Sequence, residues 1–415
     1  MKATALWLLL LALAARLCAM VLWPFEMHTD STDYLALAQN LRFHGVLSFG
    51  APHPWGSDAT LNSPGPYIPT AARAPLYPLM IALLWWQSGP PIIATLVAQA
   101  VLGSLTVLLV YAMADRAFGR KSALLSGIGV ALAPMTLRST ADIMSETLFT
   151  FLLTMGIWLW GERRDWLAGI VLGLGALTRT ILLPLFPVLT LGIVLLPFNR
   201  ARHARILAGA MLVITPWMAR NIVTQDRFIP VAAQGVGSNL IFGTIYVPYG
   251  AGDTFNDRWW AYGSDPEVDQ IARSSASETE AEGRMVRAAV RRIVRDPFRW
   301  FWLCTVQYPR LFADSGGYLY SLLPLPSRVI KYIFLLSNLT FLGLSLAGAL
   351  LAMTRWRDVY HLALYPLVLA VAQFATVTDA RYSLPIVPSM AIFAAFALTC
   401  VGRRFSRRPW SEAAV

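Results

Sequence analysis

Ten apolar runs, separated by short basic clusters and two long mixed segments, set the frame of the chain. They cover 3–23, 90–113, 122–137, 147–161, 166–177, 181–198, 206–219, 329–353, 359–377 and 384–401. At about 1.5 Å per helical residue the longer runs cross the roughly 30 Å of a bilayer's hydrocarbon. They predict membrane-crossing helices. Lys2 and the run behind it could pass for a secretion signal. Arg16 interrupts that run, however, and no small-residue cleavage site follows, so an uncleaved first span is expected. An arginine inside a span either snorkels to the boundary, contacts a neighbouring helix or meets a lipid phosphate.

The basic clusters fall on alternate turns: Arg116, Arg120 and Lys121, then Arg163 and Arg164, then Arg200, Arg202 and Arg205, then Arg355 and Arg357, then Arg403, Arg404, Arg407 and Arg408. Cytoplasmic turns collect such charge. Ten crossings with both termini in the cytoplasm fit the charge and the parity. The expected fold class is thus an all-α integral membrane protein, one transmembrane domain over 1–415 with about ten helices and two long external segments, 25–89 and 223–328.

Both external segments hold elements of their own. Residues 75–87 are apolar but span only roughly 20 Å as helix, too short to cross, which predicts an interfacial or dipping segment. Ser277 with Glu280 reads as a capping pair opening a helix to Arg295. That helix has Met285, Ala289 and Ile293 on one face, Val286, Val290 and Val294 beside them, and arginines at 284, 287, 291, 292 and 295. The aromatic stretch 298–312 predicts another interfacial element. Within the spans, Pro134 predicts a kink, and Gly169, Gly173, Gly175 and Ala176 predict close helix approach.

Composition agrees with a membrane protein. The chain has 415 residues, 56% hydrophobic and 14% charged, with a mean hydropathy of +0.54. A soluble core of this length cannot bury so much apolar surface. The net charge of +11 sits in the short turns, so it sets topology and gives no reason to expect nucleic acid. Cys18, Cys304 and Cys400 have neither metal-ligand spacing nor an obvious pairing.

Candidate chemistry gathers at the external ends, which offer Asp30, Asp33, Arg73, Asp142, Glu146, Arg179, Arg220 and Arg381, whereas most span interiors lack ionisable groups. A transporter is expected to place such groups near the midplane. A carboxylate can take a proton from an attacking hydroxyl, and guanidinium groups hold phosphate and stabilise a departing one. Together they suit sugar transfer from a lipid phosphate. Two other classes fit a basic external site: a flippase of lipid-linked sugars and a non-catalytic subunit of an envelope-polysaccharide system. His28 and His53 lack the spacing of metal ligands. No cofactor is predicted, and a divalent metal stays open without support from ligand spacing.

Several short motifs resemble those of the C-type membrane glycosyltransferases. They are Asp30-Ser31-Thr32-Asp33-Tyr34 with Ala38, Asn40-Leu41 and Gly45; Arg73-Ala74-Pro75-Leu76-Tyr77-Pro78; Ser145-Glu146-Thr147-Leu148-Phe149; 173–179 ending in Thr178-Arg179; and Arg381-Tyr382 before Pro385 and Pro388. The matching branch holds the lipid A aminoarabinose transferases, the protein O-mannosyltransferases and the lipopolysaccharide-core transferases. The likeness covers roughly the first 230 residues well and the tail more loosely.

The resemblance implies Asp30 as base or acceptor-orienting group, Glu146 as a second acid, and Arg73, Arg179 and Arg381 near the donor phosphate. Asp33, Tyr34, Arg220 and Tyr382 complete the expected substrate-binding set. Two departures stand out: Ser31 replaces a second acid common after the first, and Ala74-Pro75 replaces a proline pair. The implied partners are a polyprenyl-phosphate sugar, an envelope glycolipid, glycan or protein acceptor, and membrane lipid. The implied location is a bacterial inner membrane, with the site on the periplasmic face.

Overall fold

The computed structural model describes residues 2–23, 25–50, 61–62, 65–86, 88–195, 199–246, 264–275, 277–313, 327–376 and 380–406. His53 and the turn at Thr378 and Asp379 lie outside them, as do Arg407, Arg408 and much of the second external segment. Every regular element among the described residues is helical.

Helix α1 (Lys2–Leu22) lies against α4 (Ile92–Phe118) and α5 (Arg120–Leu132). Gly119, at φ 86°, lets α4 turn directly into α5. The expected kink at Pro134 is instead a break. α5 ends at Leu132, Ala133 is extended (ψ 120°), and Pro134 opens α6 (Pro134–Thr140). Proline disfavours helical backbone in the residue before it and is tolerated at a helix start, so the run divides there.

α7 (Glu146–Gly161) and α8 (Asp165–Ala176) form a hairpin, and α8 packs along α10 (Arg200–Gln225). Gly169 makes the last contact possible, because a Cβ there would collide with the Ile206 carbonyl. The expected span 181–198 is shorter as helix. A 3₁₀ turn, Thr180–Leu182, precedes α9 (Leu185–Leu195), since Pro184 cannot continue a helix from that turn.

Among the described residues five stretches are long and apolar enough to cross a membrane: Ala3–Leu22, Ile92–Phe118, Arg200–Gln225, Tyr332–Phe374 and Arg381–Gly402. The fourth is divided by a 3₁₀ turn at Ala352–Arg355, and the shorter apolar helices Asp165–Ala176 and Thr180–Leu195 stand beside them. The chain is an integral membrane protein.

The two ends of the bundle differ chemically. One carries cation-rich helix ends: Arg116 at the end of α4 pairs with Glu162 (2.5 Å), and Arg202 and Arg205 in the first turns of α10 both hold Asp165 (3.0 and 3.1 Å). The other carries α2 (Thr29–His44) and α3 (Leu76–Leu83). α2 is buried on several sides through Leu35, Leu37 and Ala38 and ends at Gly45, whose left-handed φ of 70° stops the helix.

Part of the second long segment folds as a small module: α11 (Gly237–Phe242), α12 (Pro266–Ser274) and α13 (Glu278–Arg295) enclose Phe242, Ile271, Met285 and Ala289. Ser277 caps α13 by accepting from the Glu280 amide (3.2 Å). Val290 and Val294 lie off the buried stripe and are exposed, as is Phe298 at the start of α14 (Pro297–Gln307). The aromatic stretch 298–312 is two elements, because Pro309 separates α14 from the short α15 (Arg310–Ala313).

Candidate active site

Asp30 stands in the first turn of α2, and its two carboxylate oxygens face different arginines. Arg73 Nη2 donates to Oδ1 (2.7 Å) and Arg381 Nη1 to Oδ2 (3.1 Å). Three residues on, Asp33 is fully buried and accepts from Arg73 through Nη2 (2.6 Å) and Nε (3.2 Å). One helical turn separates the two acids, so both reach the same guanidinium. Asp33 caps no helix. The N-cap of α2 is His28, whose ring accepts from the Ser31 amide.

A second group is assembled from the turns at 145 and 179. Arg179 Nη1 pairs with the buried Glu146 (2.7 Å) and donates to Ser145 Oγ (3.1 Å). The Tyr34 hydroxyl meets the same Oγ at 3.1 Å, while the Tyr34 ring lies under Arg73. On the far side, the Tyr382 ring lies beneath both Arg179 and Arg381. The circuit closes: Asp30, Arg73, Tyr34, Ser145, Arg179, Tyr382, Arg381 and back to Asp30.

Backbone ties hold these distant segments in register. The Leu76 amide donates to Leu177 O (2.9 Å), joining the Arg73 and Arg179 turns, and the Ala233 amide donates to Ala71 O (2.8 Å) from the second long segment. Tyr77 packs edge-on against Tyr34 and donates to Gln99 Oε1 (2.6 Å), whose amide in turn holds the Thr140 and Asp142 carbonyls. Tyr382 also rests on the apolar core of the small module, so that module adjoins the circuit.

Burial raises the Asp30 pKa, but the charges of Arg73 and Arg381 outweigh it and hold the carboxyl well below the usual range. Burial likewise lifts the Tyr34 phenol, which stays protonated at neutral pH. Among the described residues no group of three His, Cys, Asp or Glu side chains is placed to hold a metal ion.

Sequence reasoning brought together Asp30, Asp33, Tyr34, Arg73, Glu146, Arg179, Arg381 and Tyr382, and the structure groups all of them. Arg220 stands apart: it donates to Thr70 O (2.8 Å) and Asn221 and stacks on Trp217. Ser145 stands in the 145–149 motif but was given no role in the site. Its place in that motif, directly before Glu146, is the signal that could have marked it.

His28 pairs with Asp142 (Nε2 to Oδ1, 2.7 Å) and braces α2 against the turn before α7. Burial lowers its pKa, yet the hydrogen bond and charge of Asp142 prevail and raise it above 6.5. A raised folded value means stability that is complete below pH 6.5 and lost as pH rises through the folded value. The melting temperature of wild type should therefore exceed that of His28→Gln most in weak acid. The gap should narrow as pH rises above 6.5 through the folded value, read in thermal melts.

The fold is similar to that of solved oligosaccharyltransferase structures, in line with the resemblance drawn from the motifs. Residues 72–219 match the family described as dolichyl-phosphate-mannose-protein mannosyltransferase. That stretch contains Arg73, Glu146 and Arg179. The oligosaccharyltransferase AglB from Archaeoglobus fulgidus, solved with an inhibitory peptide and a dolichol-phosphate, is similar over 99% of this chain and 52% of its own, with a TM-score of 0.56 and 14% identity. Its apo form gives 0.57 at 15% identity, covering 96% of this chain and 51% of that one. The chain thus spans about half the length of these oligosaccharyltransferases. ArnT from Cupriavidus metallidurans bound to undecaprenyl phosphate aligns with a TM-score of 0.43 and 13% identity, over 97% of this chain and 78% of its own. No curated protein matches the chain in sequence.

Proposed function

We propose that the protein is an inverting glycosyltransferase that moves a sugar from a polyprenyl-phosphate donor to a hydroxyl of an envelope lipid, glycan or protein. In this reading the chain crosses the membrane about ten times, and the cation-rich end faces the cytoplasm. The Asp30 circuit then faces the periplasm of a bacterial inner membrane. One observation carries the proposal: a carboxylate held between guanidiniums from residues 73 and 381, with a third from 179 alongside.

The charge balance suggests how such a site works. Asp30, Asp33 and Glu146 offset Arg73, Arg179 and Arg381, so an incoming phosphate must displace a carboxylate to reach the arginines. Asp30 is the most accessible of the three acids, 22% exposed against 1% for Asp33 and 4% for Glu146. Phosphate that takes Arg73 and Arg381 from Asp30 removes the charges that keep it a weak base. Its basicity rises only when donor is bound.

Transfer then follows. Asp30 takes the acceptor hydroxyl's proton, the oxygen bonds to the anomeric carbon from the face opposite phosphate, and the carbon–oxygen bond to phosphate breaks with inversion. Polyprenyl phosphate leaves as the anion, stabilised by the guanidiniums. AglB's dolichol-phosphate is a ligand of the same chemical kind.

The test is transfer in proteoliposomes carrying radiolabelled polyprenyl-phosphate sugars and a membrane extract as acceptor. Lipid phosphate released only when acceptor is present supports the reading. Labelled lipid that crosses the bilayer with no bond broken would replace it with a flippase.

A further inference from the structure

Arg16, which sugar transfer leaves without a role, is 1% exposed inside the first membrane-crossing helix. It lies six residues before Leu22, about 9 Å below the end of α1. Its Nη1 donates to Ala12 O (3.1 Å), whereas Nε has no hydrogen-bond partner and no carboxylate pairs with the group among the described residues. Gly103 of α4 makes room for it, since a Cβ at that position would collide with the guanidinium. A cation buried in this way is costly unless a counter-charge meets it.

The guanidinium borders a cavity of about 20 Å³ whose other walls include hydroxyls from α4, α6 and α7. Those of Thr106, Thr136, Thr140 and Thr147 already donate to main-chain carbonyls. The Thr150 hydroxyl is buried and has no partner among the described residues. The cavity therefore presents two unsatisfied donors, one of them charged, and no carboxylate among the residues that line it.

We propose that Arg16 and Thr150 form an intramembrane site for a small monovalent inorganic anion of the halide class, with chloride as the abundant member. Charge selects an anion over water, which would satisfy the hydrogen bonds and leave the cation uncompensated. Size favours a small, monatomic one: the cavity, about 20 Å³, is a little larger than the roughly 10–15 Å³ that a water needs. The bound anion ties α1 to α7 one turn below Glu146. It thereby steadies the turn that carries Ser145.

The test is the melting temperature of the full chain in lipid nanodiscs, titrated with sodium chloride against sodium gluconate at matched ionic strength. Chloride and bromide should raise it saturably, and gluconate and sulfate should not. Thr150→Val, isosteric and without the hydroxyl, should raise the half-saturating chloride concentration about tenfold, the worth of one hydrogen bond to a charged group. Arg16→Met should abolish the response, and Thr150→Val decides the matter if that variant does not fold. Equal melting in chloride and gluconate would overturn the proposal. So would a chloride response unchanged in Thr150→Val.

Discussion

Asp30→Asn is expected to lower the rate of sugar transfer by about 10²- to 10⁴-fold, the range for losing a general base. The variant should also bind polyprenyl phosphate more tightly than wild type. Both effects share one cause. In the proposed mechanism the carboxylate that takes the proton also competes with phosphate for Arg73 and Arg381, with which it pairs, so an amide there would remove the base and the competitor together. A residue needed only for folding would not separate a falling kcat from a strengthening product affinity.

The stability of the same variant has a defined dependence on pH. After the opposing effect of burial, Arg73 and Arg381 hold the Asp30 pKa far below 3.8. Its contribution is thus fully present above that value and lost as pH falls through the lower, folded one. The melting gap between wild type and Asp30→Asn should persist from neutral pH into weak acid and close only in strong acid. Full transfer activity by a normally melting Asp30→Asn would remove the residue from the chemistry.

What the chain disclosed in advance depended on whether the signal was local. Apolar runs are local, so α1, α4 and α7 lie close to where hydropathy places them, whereas α10 runs Arg200–Gln225, past both ends of its apolar run, and takes in the basic cluster expected as a turn. Pro134 was legible as an irregularity. Whether it bends or ends a helix depends on the backbone of Ala133, which the following proline biases away from helix without deciding it. α9 is short for a related reason, as Pro184 stops a helix that the apolar composition of 181–198 would otherwise allow.

The site was legible as a set of residue types and illegible as a set of pairs. Motif order suggested Asp30, Arg73 and Arg381. That Asp33 shares Arg73, or that Ser145 joins Tyr34 to Arg179, follows from folding that brings segments tens to hundreds of residues apart into contact. Arg220 shows the converse. Its place at the end of an apolar run looks like that of Arg179, yet its hydrogen bonds go to Thr70 and Asn221. Arginines at helix ends look alike in sequence, and only their partners tell anchor from ligand.

Glu146→Ala should destabilise the protein by about 3–5 kcal/mol, because it leaves the Arg179 guanidinium in a largely buried site without its carboxylate. Arg179→Met should be destabilising for the converse reason, an isolated acid 4% exposed. The double variant Glu146→Leu, Arg179→Met contains neither stranded charge, so thermal melts should find it more stable than Glu146→Ala. Recovery of folding should bring no recovery of transfer, since the third guanidinium of the circuit and the acid behind it are both gone. If the double variant both folds and transfers sugar at the wild-type rate, the pair is a packing element, and phosphate contact rests on Arg73 and Arg381 alone.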